Sequence, residues 1–191
     1  MPTDPASATN SSFVVISGAT GLIGSALAAR LRARNVRVRR LVRTARPQSP
    51  DDIVWDPMRG VLSPSDLEGA DAVVHLAGEP LAHRWTPARK RAIRESRVRG
   101  TELVARTIAA LDRKPRVLLS GSAVGIYGDR GDEPLDEESA LGSGFLAAVA
   151  REWEAASAAA TDAASHSRVI PARNPPPSAL SSSSGSSPRS P

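Results

Sequence analysis

Three glycines between an apolar run and an amphipathic segment constrain this chain more than any other feature. Residues 14–17 read Val-Val-Ile-Ser, and glycines follow at positions 18, 21 and 24. The apolar residues that come next recur at helical spacing, namely Leu22, Ile23, Ala26, Leu27, Ala28 and Leu31. A buried strand, a glycine turn and a helix in this order let the backbone approach a pyrophosphate, and the start of the helix offers that anion N–H groups and a positive dipole end. The segment predicts a dinucleotide site formed by Gly18, Thr20, Gly21, Leu22, Ile23 and Gly24.

Strand-like and helix-like segments alternate along the rest of the chain. Apolar runs predict strands at 13–17, 36–42, 53–55, 72–77, 117–120 and 168–172. Helical spacing predicts helices at 22–34, 87–111 and 145–163, the second with Thr86 as N-cap and Pro87 at its first position. This alternation is typical of an α/β fold with a doubly wound parallel sheet and right-handed crossovers, the Rossmann-like arrangement.

The chain has 191 residues, which suits one domain with a sizeable core. We assign that domain to residues 13–173. Residues 1–12 are polar and rich in Pro, Ser and Thr, and residues 174–191 are rich in Pro and Ser with almost no apolar side chains. Such segments cannot bury a core, so we expect a disordered tail at each end.

Composition excludes several classes of site. Without cysteine there are no disulfides or thiolate metal sites. The three histidines are scattered and the acidic segment 129–143 has no fixed ligand spacing, so we expect no metal. The net charge of +5 is modest, and the arginines share their helices with acidic residues, which indicates solvated faces rather than a nucleic-acid surface. No apolar run reaches membrane-spanning length, so we expect a cytoplasmic protein without membrane partners.

Further motifs follow the glycine turn. They are Ala-Val-Val-His-Leu-Ala-Gly-Glu-Pro at 72–80, Arg-Trp-Thr at 84–86, Ser-Arg-Val-Arg-Gly-Thr at 96–101 and Ser-Ala-Val-Gly-Ile-Tyr-Gly-Asp at 122–129. In combination they resemble the extended short-chain dehydrogenase/reductase superfamily, and within it the atypical NAD(P)-dependent epimerase/dehydratase family, over about residues 13 to 173. The resemblance implies that Leu76, Ala77 and Gly78 pass the cofactor and that Arg97 faces it from the long helix.

The resemblance weakens after Arg173. The family continues there with a strand-six R-x-G-x-V-L-G element and a substrate domain, whereas this chain reads Asn174-Pro175-Pro176-Pro177. We therefore expect a truncated copy in which the substrate domain is absent.

The second predicted strand indicates which dinucleotide binds. A carboxylate at its end would bond the ribose 2′-hydroxyl of NAD, but the segment reads Arg39-Arg40-Leu41-Val42-Arg43. A guanidinium instead pairs with a 2′-phosphate. The sequence therefore favours NADP over NAD, with Arg43 as the phosphate contact.

The superfamily's Tyr-x-x-x-Lys dyad has no counterpart. Tyr127 is the only tyrosine and position 131 is glycine, while counting back from Glu154 places the dyad on Leu146 and Ala150. Ser122 is the remaining catalytic candidate, as a hydrogen-bond partner for a substrate or for the nicotinamide carboxamide. We interpret the chain as an NADP-binding epimerase/oxidoreductase-like protein. The alternatives are a non-catalytic nucleotide-binding module and the non-functional product of a shifted reading frame.

Overall fold

The computed structural model describes residues 12–44, 49–161 and 166–170, and within them six parallel strands form one sheet. The order across the sheet is β3-β2-β1-β4-β5-β6. The strands are β1 Phe13–Ser17, β2 Arg37–Val42, β3 Asp52–Val54, β4 Ala72–His75, β5 Val117–Gly121 and β6 His166–Ile170. This is the predicted doubly wound order, and its direction reverses between β1 and β4, where ligands of such sheets bind.

In the described part of the chain, four α-helices connect the strands, together with 3₁₀ turns at Pro64–Asp66 and Val124–Tyr127. The helices are α1 Leu22–Arg32, α2 Pro87–Ala109, α3 Phe145–Ala155 and α4 Ala158–Thr161. The predicted cap of α2 is confirmed, since the Thr86 hydroxyl accepts from the Arg89 N–H at 3.2 Å. Helix α1 ends two residues before its predicted limit, and Asn35 follows in the left-handed conformation with a φ of 60°.

The single helix predicted over 145–163 is wrong. The Ser157 hydroxyl donates to the Glu154 carbonyl oxygen at 2.7 Å, and the Ser157 N–H donates to the same oxygen at 3.1 Å. Serine hydroxyls compete in this way with the backbone ladder of a helix. The segment therefore divides into α3 and α4.

Two further boundaries differ from the prediction. Strand β4 ends at His75 instead of residue 77, because the N–H groups of Leu76 and Ala77 turn to the Ser17 hydroxyl. Strand β6 begins at His166 instead of 168. Residues 1–11 and 171–191, and with them most of both predicted tails, lie outside the described residues.

The sheet is buried on both faces by alternating side chains. Val15, Leu41, Val73 and Leu118 pack on one face with Leu103, Val104 and Ile108 of α2. Val14, Ile16, Val38 and Val74 pack on the other face with Ala28 of α1. Parallel sheets buried in this way place all functional loops at the carboxyl ends of their strands. In this chain those loops follow β1, β2, β4 and β5.

Candidate functional site

The glycine turn follows β1 directly and presents bare backbone. Gly18 has a φ of +69°, and a Cβ there would lie 2.8 Å from the carbonyl carbon and oxygen of Leu76. A Cβ on Gly24 would lie 2.2 Å from the Gly18 carbonyl oxygen. That oxygen also accepts from the Gly21 N–H at 3.0 Å. The turn thus has no room for a side chain at Gly18 or Gly24, which brings the start of α1 against the backbone of the turn.

The start of α1 has no side-chain cap. Gly21 occupies the N-cap position, so it offers no oxygen to the first N–H groups of the helix. Leu22 and Ile23 stand in this first turn with 90% and 70% of their surfaces exposed. An uncapped helix start beside open glycine backbone has the electrostatics of an anion site.

A cleft of about 340 Å³ lies between the glycine turn, α1 and β2. Its lining consists of Ala19, Thr20, Ser25, Ala28, Ala29, Arg32 and Arg40. The small side chains keep the cleft open, and Arg32 and Arg40 form one wall of it. Sequence reasoning found Thr20 but missed Arg32 and Arg40, because only the fold brings α1 and β2 together here.

The arginines of β2 differ in their partners. Arg37 pairs with Asp51 at 2.9 Å, and Arg39 pairs with Asp66 at 3.4 Å. The Arg40 Nε donates to the buried carboxylate of Asp52 at 2.8 Å. Arg43, just past the end of β2, is exposed and has no hydrogen bond or ion pair among the described residues. Because Leu41 lies level with Ser17 in the sheet, Arg43 stands at the same edge as the glycine turn.

The residues after β4 form the opposite side of the turn. The main-chain atoms of Leu76 and Ala77 pack against Gly18, and Gly78 is exposed. A Cβ on Gly78 would lie 3.1–3.3 Å from the guanidinium atoms of Arg97. The structure therefore brings five predicted residues together, namely Gly18, Leu76, Ala77, Gly78 and, from α2, Arg97.

Arg97 is held firmly in place. Its Nη1 donates to the carbonyl oxygens of Glu79 and Ile93 at 3.0 and 3.2 Å. Its guanidinium carbon lies 5.3 Å from the ring centroid of Trp153. Burial lowers the pKa of Arg97, and the negative charge of Glu79 partly offsets that effect. An arginine remains a cation under such a shift, so Arg97 supplies a fixed positive charge beside Gly78.

Ser122 follows β5, and its hydroxyl donates to the Glu154 carboxylate of α3. Tyr127 is buried in an apolar cluster with Ile126 and Ala150. A Cβ on Gly125 would lie 3.2 Å from the Leu146 Cβ, so α3 packs directly on the 3₁₀ turn. Neither Leu146 nor Ala150 can transfer a proton, whereas Ser122 and Glu154 form a hydrogen-bonded pair of protic side chains at the end of β5.

Other classes of site find little support in the part of the chain that the structure describes. No cluster of three or more metal-ligating side chains is found among those residues. The acidic loop instead satisfies its own groups, since Asp136 accepts from the Ser139 hydroxyl at 2.9 Å, which lowers the pKa of Asp136. None of the described helices is long and apolar enough to cross a membrane.

Residues 14–151 match the model of the NAD dependent epimerase/dehydratase family. The chain belongs to this family. Among curated epimerase family proteins, Mb2239 of Mycobacterium bovis is 42% identical over 161 residues, covering 84% of this chain and 52% of its own length. The chloroplastic SDR39U1 homolog of Arabidopsis thaliana is 38% identical over 149 residues, covering 74% of this chain and 43% of its own length. This epimerase-family chain thus spans about half the length of these relatives.

Solved structures of epimerase family proteins are also similar to this chain. The nucleoside-diphosphate sugar epimerase of Corynebacterium glutamicum is 43% identical with a TM-score of 0.72, covering 85% of this chain and 34% of its own. Human epimerase family protein SDR39U1, isoform 2, crystallised with NADPH, is 30% identical with a TM-score of 0.68, covering 82% of this chain and 52% of its own. The Rossmann-like fold predicted from the sequence is confirmed.

Proposed function

We propose that this epimerase-family chain binds NADP(H) at the carboxyl edge of its sheet and forms the cofactor-binding part of an epimerase/oxidoreductase-like protein. The bare turn between Gly18 and Gly24 is the observation that carries the proposal. The pyrophosphate would lie on the N–H groups at the start of α1, beside Gly21, Leu22 and Ile23. When bound, the nicotinamide would supply hydride transfer. The human relative that was crystallised with NADPH supports this assignment.

The second half of the site would hold the rest of the cofactor. Thr20 and the cleft between α1 and β2 would take the adenosine, and the end of β4 at Leu76, Ala77 and Gly78 would let the cofactor pass close to the main chain. Arg97 would face the cofactor from the far side of Gly78 with its fixed charge.

Arg43 is proposed to select NADP over NAD. No carboxylate occupies the end of β2, and the acids near it, Asp51 and Asp52, already pair with Arg37 and Arg40. Arg43 is therefore available to pair with a 2′-phosphate. The adjacent cleft adds the positive charge of Arg32, whereas the charge of Arg40 is offset by its pairing with Asp52.

Calorimetric titration with NADPH and NADH tests both parts of this proposal. We expect NADPH to bind more tightly than NADH. Arg43→Ala should narrow the difference between their binding free energies by about 1–3 kcal/mol, the range for hydrogen bonds to charged groups. Arg106→Ala is the matched control, because Arg106 is exposed in the last turn of α2, at the opposite edge of the sheet. Equal affinities for the two dinucleotides would contradict the assignment of Arg43, and failure of either to bind would contradict the cofactor site.

A non-catalytic nucleotide-binding module is the second candidate, favoured by Leu146 and Ala150 where the superfamily carries its proton-relay pair. The two candidates differ in what happens to bound NADPH. Incubation of NADPH deuterated at both C4 positions with a nucleotide keto-sugar would transfer deuteride to the carbonyl carbon, with a proton to its oxygen, if the chain is catalytic. Full retention of the label, with binding intact, would favour the module.

A further inference from the structure

The hydrogen bonds of Ser17 continue the β1–β4 ladder past its last residue pair. The ladder ends where Ser17 pairs with His75, because Gly18 then leaves the strand with a positive φ. Beyond that pair, the Ser17 Oγ accepts from the N–H groups of Leu76 at 3.0 Å and Ala77 at 3.2 Å. The Leu76 N–H also donates to the Ser17 carbonyl oxygen, at the longer distance of 3.3 Å. One buried hydroxyl thus holds the two residues that back onto Gly18.

Counting donors and acceptors fixes the proton positions in this cluster. A serine oxygen has two lone pairs, and the N–H groups of Leu76 and Ala77 occupy both. We therefore assign the remaining 2.7 Å contact to donation from the Ser17 hydroxyl to the His75 Nδ1. His75 is consequently neutral, with its proton on Nε2. Burial lowers the pKa of His75 to about 4, which agrees with this neutral form.

Gly100 and Trp55 pack against the remaining sides of the His75 ring. A Cβ on Gly100 of α2 would lie 3.4 Å from its Cε1 and Nε2 atoms, an ordinary van der Waals distance, so α2 packs directly against the ring. Trp55 meets the ring edge to face, with 5.8 Å between the centroids. The Nε2 atom is buried with no hydrogen-bond partner among the described residues. The ring therefore has one strong polar contact, the Ser17 hydroxyl.

We propose that Ser17 and His75 are positioning residues for the dinucleotide, a buried pair that locks the end of β4 behind the glycine turn. This inference rests on the proposed cofactor site. The Cβ position of Gly18 lies only 2.8 Å from the Leu76 main chain, so a shift of Leu76 or Ala77 moves the surface on which the cofactor would lie. Neither side chain touches the cofactor. Both act through the main chain of Gly18, Leu76 and Ala77.

Matched variants separate this role from simple packing. Ser17→Thr keeps the hydroxyl, and Ser17→Val has the shape of that threonine without the hydroxyl. The difference in NADPH affinity between the two variants therefore isolates the effect of the hydrogen bonds. We expect Ser17→Val to bind NADPH about tenfold more weakly than Ser17→Thr. Ser120→Ala is the control, because Ser120 is buried at the end of β5, level with His75, and its hydroxyl makes only a 3.5 Å contact to its neighbour. Its affinity for NADPH should match that of the wild type.

Amide hydrogen exchange and histidine NMR without cofactor complete the test. Exchange of the Ala77 N–H should accelerate in Ser17→Val and stay slow in Ser17→Thr, and His75 should carry its proton on Nε2. Slow exchange in Ser17→Val, or a proton on Nδ1, would overturn the hydrogen-bond assignment. Faster exchange with unchanged NADPH affinity would overturn the positioning role. A wild-type chain that does not bind NADPH would instead overturn the proposed function, and the inference with it.

Discussion

Gly18 and Gly24 exclude side chains for different physical reasons. Gly24 has an ordinary helical backbone, and its Cβ would overlap the Gly18 carbonyl oxygen. Gly18 combines a left-handed backbone with a Cβ position that overlaps the main chain of Leu76. Neither contact involves a flexible side chain that could move aside. The turn is therefore specified by contacts between backbone atoms.

A comparison with Gly60 separates strain from crowding at Gly18. Both glycines have a φ of +69°, but a Cβ on Gly60 would meet nothing within 4 Å. Each alanine substitution should cost roughly 1–2 kcal/mol for the left-handed backbone. Gly18→Ala should lower the melting temperature further and abolish NADPH binding, whereas Gly60→Ala should leave binding intact. Equal melting temperatures for the two variants would show that the Gly18 site can relax.

His75 should make stability depend on pH. The unfolded chain takes up a proton near pH 6.5, whereas burial lowers the pKa of His75 in the folded chain to about 4. The unfolded state therefore binds more protons between these values, and the free energy of unfolding falls as the pH drops from 6.5 to 4. Because one pKa unit corresponds to about 1.4 kcal/mol, the full effect is on the order of 3 kcal/mol.

Urea unfolding of His75→Asn at several pH values measures this contribution. Asparagine offers Ser17 an acceptor but does not titrate, so the variant should lose less stability than the wild type as the pH falls below 6.5. His83→Asn is the control, because His83 is exposed in the loop after β4. If the wild type and His75→Asn change in parallel over this range, His75 does not carry the dependence.

At the scale of single elements, α2 depends on the capping hydrogen bond at its start. Thr86 accepts from the Arg89 N–H, and Pro87 occupies the first helical position. Thr86→Ala should lower the free energy of unfolding by about 0.5–2 kcal/mol, and Thr86→Ser should restore most of it. Thermal unfolding of both variants measures the difference. Equal losses in the two variants would mean that the hydroxyl does not act as the cap.

Elements with local signals could be predicted from the sequence, and elements set by distant contacts could not. The glycine turn and the Thr86 cap are each determined by residues that are adjacent in the sequence, and both are present in the structure. The break at Ser157 arises because its hydroxyl competes for a backbone carbonyl oxygen of the helix. The pattern of apolar residues does not indicate which hydroxyl will do so. Strand β4 ends early because of Ser17, which lies 58 residues before His75 in the chain.

The same distinction holds for the candidate site. The run from Gly18 to Gly24 could be singled out because it follows a predicted strand, whereas Leu76, Ala77 and Gly78 are implied by the family resemblance. The basic wall of Arg32 and Arg40, the contact of Arg97 with Trp153 and the pairing of Ser17 with His75 all join separate elements. Only the order and register of the strands bring these side chains together, so no local pattern of residues could predict these contacts.

At the scale of the whole molecule, the sheet gathers these elements at one edge. Strands β1 and β4 are neighbours at the centre, so the loops after them meet where the strand order reverses. The loops after β2 and β5 place Arg43 on one flank and Ser122 on the other. The amino edge, where the Arg116 N–H donates to the Asp71 carbonyl oxygen, has no comparable turn among the described residues.

An NMR titration of the ¹⁵N-labelled chain with NADPH tests the central claim most directly, because each amide reports its own surroundings. We expect saturable shift changes at Gly21, Leu22, Ile23 and Ala77, with a further change at Arg43 that NADH does not reproduce. The amides of Asp71 and Arg116 at the opposite edge should not shift. Absence of any change at millimolar NADPH, or changes confined to the amino edge, would contradict a dinucleotide site on the glycine turn.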